Sequence, residues 1–303
     1  MFVIYQIFTI LLGGIMAKIL ITGGSGRIGS GILARLNKIF SADDEIFLLR
    51  HNSPPFGAYR GEFKTIEIIK KIEGSFDFTL HLGAQADTNF CKKPENREAV
   101  LDANVRLTEI VCQNSAFVLL VSTDNVFDGN SQNEYCEYDE PKPCNFYGES
   151  KILAEKIVIG SRGAVVRIST MLGVKNRIVD DGAVRYVQGH DHFPFWNNTF
   201  VRPSWLLDLV TITQKIHEER RIGIFHCSCA GRALSRAEMA KFVLKFFQDH
   251  HLPTTRESIP EEECPPTFPH RLILSTKWTH AALGLEFTDS EKALHDHLST
   301  KFR

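Results

Sequence analysis

Short unbroken apolar runs alternate with stretches of helical periodicity over the first half of the chain. Lys18-Ile-Leu-Ile-Thr22, Glu45-Ile-Phe-Leu-Leu49 and Phe117-Val-Leu-Leu-Val121 are continuous rather than alternating in polarity. That is the pattern of strands covered on both faces. Between the first two, Ile28, Ile32, Leu33, Leu36 and Ile39 recur at helical spacing. Strand and helix keep alternating to about Arg167, so the expected fold is α/β, a doubly wound parallel sheet over residues 17–169 with right-handed crossovers. From Thr170 to Arg202 the chain is richer in Gly, Asn, Asp and aromatic residues, and loops bordering a cleft are expected there. A helix is predicted from Trp205 through Ile216 and a buried strand over Gly223–Cys229. Ser235-Arg-Ala-Glu238 reads as a capping box before a helix over Met239–Phe247. Residues 253–269 read as a long surface loop ahead of Arg271-Leu-Ile-Leu274 and the final helices. Residues 170–303 are thus expected to form a smaller, mainly substrate-binding region, with some segments returning to the sheet. No internal repeat interrupts this order.

Composition narrows the class. A chain of 303 residues, 43% hydrophobic, can bury a large core, and its formal net charge of -1 gives no electrostatic case for nucleic acid. Seven cysteines, odd in number and dispersed, do not form a disulfide framework and suit a reducing, cytoplasmic setting. Cys227 and Cys229 share one predicted strand and lack a second ligand pair at zinc spacing; the twelve histidines are scattered, and no metal is expected. Phe2 through Ile15 is an uncharged apolar run, too short for a span and too close to the first strand, so no membrane partner is expected. The simplest expectation is that residues 1–16 form an apolar extension and that Met16 is the native start.

The candidate chemistry begins where the first strand runs into Gly23-Gly-Ser-Gly26-Arg-Ile-Gly29 and then a helix, the order required of a dinucleotide-binding turn. Gly23 would permit the tight turn, Gly26 would let backbone approach a pyrophosphate, and Gly29 would let helix pack on strand. Arg27 and Ile28 belong to the same turn. After the second strand, an NAD site commonly has a carboxylate for the ribose hydroxyls; here stand Arg50-His51-Asn52. A guanidinium pairs with a 2'-phosphate instead, and Arg27 adds a second cation, so NADP(H) is expected in preference to NAD(H). Tyr147 and Lys151, four apart, lie on one helix face. An ammonium beside a phenol would lower the phenol's pKa toward the working range, and Thr123 offers a hydroxyl at a strand end. Alone, a Tyr-x-x-x-Lys pair is common on ordinary helices; the glycine turn upstream supplies its context.

These residues resemble the extended short-chain dehydrogenase/reductases and, within them, the dTDP-4-dehydrorhamnose reductase-like branch. Ser122-Thr-Asp-Asn-Val-Phe-Asp-Gly129 and the run from Glu137 to Glu155 carry the likeness. It implies a Rossmann domain, a catalytic set of Thr123, Tyr147 and Lys151, and Lys151 holding the nicotinamide ribose. Asn104 would support a proton relay. Leu82, Gly83 and Ala84, following His81, would line the cofactor, and Glu62 and Phe63 would touch adenine. The implied activity is NADPH-dependent reduction of a nucleotide-activated 4-keto-deoxysugar, with a nucleotide sugar as the partner molecule and room for a homodimer.

Departures from the pattern bear on the substrate. Asn125 stands in place of a tyrosine, and Thr170 stands where rhamnose-forming reductases tend to carry tryptophan. Related dehydratases place Asp-Glu after the threonine; Asp124-Asn125 lacks that base, because an amide abstracts no proton at neutral pH. Thr123, Asp124, Asn125, Thr170 and Arg202 are the expected substrate contacts, Arg202 as a phosphate partner. An NAD-dependent epimerase could use the same catalytic set, and a non-catalytic NADP-binding regulatory subunit is the alternative of a different class.

Overall fold

The computed structural model describes residues 16–49, 64–66, 75–190, 193–266 and 268–302, the segment 64–66 by its backbone alone. Arg50, Glu62 and Phe63, named above as cofactor contacts, lie outside the described residues, as do residues 1–15.

Seven parallel strands form the central sheet: β1 (Lys18–Thr22), β2 (Glu45–Leu49), β3 (Lys64–Ile66), β4 (Phe78–His81), β5 (Val118–Thr123), β6 (Ala164–Ile168) and β7 (Gly223–Cys227). Their spatial order is β7-β6-β5-β4-β1-β2-β3. The order reverses between β1 and β4, whose registers run Ile19 with Phe78 to Thr22 with His81. In open α/β sheets such a reversal leaves a crevice beyond the carboxyl ends of the strands. β7 joins the sheet from far along the chain, pairing Gly223–Cys227 with Ala164–Ile168.

Helices cover both faces, which is why the strands read as unbroken apolar runs. On one side α1 (Arg27–Leu33) and α4 (Leu206–Glu219) pack on Ile19, Ile21, Leu119, Val121, Val166 and Ile168. On the other, α2 (Leu107–Gln113) and α3 (Phe146–Gly160) cover Leu20, Val118, Leu120 and Val165. Toward the strands' carboxyl ends this second face changes character. Thr22, Ser122 and Arg167 follow those apolar positions by two residues, His81 follows Thr79 in the same way on β4, and all four are buried. Strand periodicity puts them under α3, and every one of them needs a polar partner there.

A second core, built on Leu172, Val179, Val187, Phe195, Trp205 and α5 (Arg236–Asp249), lies against α6 (Ser290–Lys301). The segment expected to be loop from Thr170 to Arg202 is partly helical, over Val179–Val187. Its start is capped by Asn176, whose side chain accepts from the N–H groups of Ile178 and Val179 at 2.8 and 2.9 Å. Its Asp180 is held by His297 and Lys301 of α6, a contact more than 110 residues away in sequence. The helix predicted through Ile39 breaks instead, passing from α1 into a separate 3-10 turn at Leu36–Lys38. The capping box holds as read: Ser235 Oγ accepts from Glu238 N–H at 3.1 Å, and Glu238 accepts from Ser235 N–H at 2.7 Å.

Candidate active site

A cleft of about 610 Å³ opens at the reversal of strand order. It runs from the glycine turn past the end of β5 to the second core. Gly23, Gly26, Arg27, Ile28, Gly29, Leu82 and Ala84 line one end; Thr123, Asp124, Asn125, Tyr147 and Thr170 line the middle. Gly29 permits the close approach of helix to turn, since a Cβ there would sit 2.2 Å from the Gly23 carbonyl oxygen. A Cβ on Gly26 would meet only that same oxygen, at 3.2 Å, and otherwise fill open cleft. That room suits the diphosphate of a dinucleotide against bare backbone.

Gly83, Asn104 and Lys151 stand behind this lining, and a buried polar chain joins the first two. Gly83 N–H donates to Thr22 Oγ1 at 2.9 Å, and Thr22 bonds His81 Nδ1 at 2.6 Å. His81 Nε2 meets Thr108 Oγ1 at 3.0 Å, and Thr108 donates to the Asn104 carbonyl at 2.8 Å. Since Thr108 spends its proton on Asn104, the His81 proton sits on Nε2 and the ring is neutral. Burial, and then the Lys151 charge, push its pKa down to about 3. Asn104, in a π-helical turn over Asp102–Arg106, accepts from Gln85 N–H at 2.7 Å and donates to Ser150 Oγ at 2.9 Å. Ser150 in turn donates to the Tyr147 carbonyl at 2.7 Å. Asn104 thereby ties the loop after β4 to the turn of α3 that carries the tyrosine.

Tyr147 is 9% exposed and faces the cleft, with Thr123 nearby. The expected acidification by Lys151 is corrected by the structure. Burial pushes the phenol above its ordinary range, Thr123 pulls the other way, and Asp124 and Cys91 add to the rise. Lys151 is absent from these influences: its Nζ donates to the Val121 carbonyl at 3.0 Å, beneath the strand end. A free phenol already favours its neutral form, and desolvation strengthens that preference. The resting group is therefore a proton donor.

Asn125 props the strand end, its Nδ2 donating to Thr123 Oγ1 at 3.2 Å and to Asp124 Oδ1 at 3.0 Å. Asp124 is buried, and desolvation pushes its carboxyl up to about 6 despite hydrogen bonds from Asn125 and Thr123. An acid with a raised folded pKa holds its proton longer in the fold than in the unfolded chain, so its contribution favours folding as pH falls from about 6 toward the unfolded value of ~4. Asp124→Asn should raise the melting temperature at pH 8 and leave it nearly unchanged at pH 4, checked by melts of both proteins across that range. An equal shift at both ends would contradict this reading.

Arg202 does not reach the cleft. Its guanidinium pairs with Glu134, which corrects its expected role as a phosphate contact. Two other arginines line the cleft, Arg177 and Arg236, with Trp196 and Phe268 beside them. Arg236 lies 3.8 Å over the Trp196 ring, and Trp196 packs on Phe268 at 5.0 Å between centroids. Among the described residues neither Arg177 nor Arg236 forms an ion pair with a carboxylate. Burial brings Arg236 down to about 10, opposed by Cys264 and furthered by Arg177. Sequence reading absorbed Arg236 into the capping box. One signal could have marked it, because an arginine in the first turn of a helix stands at the end where the macrodipole opposes a cation.

A family profile described as RmlD substrate binding domain matches residues 17–302. The bovine methionine adenosyltransferase 2 subunit beta is 29% identical over 153 residues, 46% of this chain, and the chain spans 45% of that relative's length. A dTDP-4-keto-6-deoxy-D-glucose reductase from Streptomyces niveus is 25% identical over 223 residues, covering 71% of this chain and 73% of that protein. The crystal structure of dTDP-4-dehydrorhamnose reductase from Bacillus anthracis in complex with NADP superposes with a TM-score of 0.75 at 18% identity, over 95% of this chain and 100% of that one, a likeness of fold. With the profile spanning both cores, the chain belongs to the RmlD substrate binding domain family, within the extended short-chain dehydrogenase/reductases whose motifs it carries.

Proposed function

We propose that the protein is an NADPH-dependent reductase of a nucleotide-activated 4-keto-deoxysugar. The observation that carries this reading is the single cleft joining the glycine turn, the Thr123–Tyr147 pair and two arginines without carboxylate partners. The relatives named as reductases of dTDP-linked keto sugars, and a fold neighbour solved with NADP, support it. Gly23, Gly26, Gly29, Leu82 and Ala84 would hold the dinucleotide, with Arg27 near its ribose phosphate. Bound NADPH would supply the hydride that the carbonyl carbon receives. With substrate bound, the Thr123 hydroxyl would turn from Asp124, to which it donates at 3.3 Å, and give its single hydrogen bond to the carbonyl oxygen. As the carbon is reduced, the C=O π pair moves onto that oxygen, and the Tyr147 hydroxyl gives it a proton. The phenolate left behind regains its proton from solvent. Asp124 and Asn125 hold Thr123 and offer hydrogen bonds to neighbouring sugar hydroxyls; Thr170 lines the same stretch.

Arg177 and Arg236 suit the diphosphate of the substrate: Arg236 is half-buried, and such a guanidinium without a carboxylate is costly until an anion arrives, while Arg177 is exposed at the rim beside it. Arg236→Ala should raise KM for the sugar nucleotide by about 10- to 100-fold, the worth of a charged hydrogen bond, with NADPH affinity unchanged. Steady-state kinetics against each substrate checks it; a rise confined to NADPH would assign the arginine to the cofactor.

The test of the function is a screen of keto-sugar nucleotides that follows loss of NADPH absorbance. Turnover with at least one is expected. A specific observation keeps a second reading in play, the resemblance to methionine adenosyltransferase 2 subunit beta. No turnover with any keto sugar, together with binding to a methionine adenosyltransferase, would replace the reductase by such a subunit.

A further inference from the structure

Lys151 and Glu155 are one helical turn apart on α3 and are 2% and 3% exposed. A buried ammonium is costly unless paired, yet Lys151 makes no ion pair of its own among the described residues; its Nζ donates to the Val121 carbonyl. The next residue along β5, Ser122, donates its hydroxyl to Glu155 Oε1 at 2.5 Å. The ammonium and the carboxylate are therefore gathered around a single peptide unit of β5, immediately before Thr123. From β6, Arg167 closes on the carboxylate like a fork, Nε to Oε1 at 3.1 Å and Nη2 to Oε2 at 2.8 Å. Three buried elements thus hold Glu155 still.

We propose that Glu155 is a positioning residue that keeps Lys151 charged, and so keeps the ammonium anchored at the end of β5 beside the reacting groups. The other groups facing Lys151 do not take this part. His81 from β4 is neutral, Arg167 from β6 has the same sign as the lysine, and Asn104 from the π-helical turn is uncharged. Tyr147 on the same helix is protonated, and Asp124 beyond β5 faces the tyrosine. In a dry interior an opposite charge one turn away acts strongly, offset in part by the guanidinium of Arg167 on the same carboxylate. Burial draws Lys151 down to about 8, and Glu155 opposes that fall. Without it the amine would fall further, and a larger share of it would be neutral at physiological pH.

The activity arm of the test rests on the reductase reading; the titration arm does not. In cofactor-free protein carrying 13C-labelled lysine, the Lys151 resonance, assigned by its loss in Lys151→Met, is titrated by NMR. Glu155→Gln should lower its midpoint by about one pH unit or more. Because the single variant strands Arg167 and can unfold, Glu155→Gln/Arg167→Met serves beside it, with a smaller drop since a like charge is lost too. Ser122→Ala removes a contact and keeps the charge, so its midpoint should stay put. In turnover the alkaline limb of kcat/KM should move with the midpoint. If the midpoint stays at the parent value in both Glu155 variants while only thermal stability falls, Glu155 is merely structural and the proposal is overturned. A midpoint that moves in a protein that reduces no keto-sugar nucleotide would uphold the pairing and sink the reductase reading alone.

Discussion

Tyr147→Phe should abolish most turnover, lowering kcat by about 10²- to 10⁴-fold, the usual worth of a positioned general acid. The argument is geometric and electrostatic together. Tyr147 reaches the cleft beside Thr123, and burial holds its proton on the oxygen, so the hydroxyl is a donor in the resting site. Phenylalanine keeps the ring that packs with Cys91 and Val100 and removes only the proton. Thermal stability should change by about 1 kcal/mol, the scale of one hydrogen bond, and NADPH binding should persist. Single-turnover kinetics with pre-bound cofactor would place the loss in the chemical step. Parent-like reduction of every accepted sugar nucleotide would show that another group protonates the product.

Gly148→Ala should be nearly as damaging while touching no reacting atom. The helix α3 starts at Asn145, whose side chain accepts from Gly148 N–H at 2.9 Å, and its first turn lies against the loop after β5. A Cβ on Gly148 would stand 2.1 Å from the Asn125 carbonyl oxygen and 2.8 Å from Pro143 Cβ. Backbone cannot yield as a flexible side chain does, so the helix start must move away from Thr123. A misplacement of ~1 Å can cost about 10²-fold in rate, and overpacking costs about 1–3 kcal/mol in stability. The expected result is a folded, less stable protein that binds NADPH and turns over at least about a hundredfold more slowly. Wild-type turnover in this variant would mean that the spacing between helix start and strand end is not what the reaction requires.

The local parts of the site were legible. β1, the glycine turn and α1 are consecutive, and Tyr147 and Lys151 share one helix, so spacing alone places each pair. The pattern placed β5 at Phe117–Val121; it spans Val118–Thr123, starting one residue and ending two residues later, with Thr123 at the last strand position. What the spacing misjudged was the consequence of shared direction. Lys151 does stand on the face of Tyr147, but its ammonium donates to a carbonyl of β5 and burial governs the phenol. Arg202 was misplaced for a similar reason. Its partner Glu134 lies 68 residues away, and no local pattern announces a pair of that separation.

The amino-acid order by itself determined the alternation of buried strands and helices, the dinucleotide turn and the residues at the head of α3, because those depend on neighbours within a few positions. Tertiary structure alone decided which arginines share the cleft, which carboxylate stands by Lys151 and how acidic Tyr147 is. Arg177 and Arg236 meet only after the segment beyond β6 and the start of α5 have packed together. Charge and acidity depend on distance and on the exclusion of water, and both are set when distant segments close over one another.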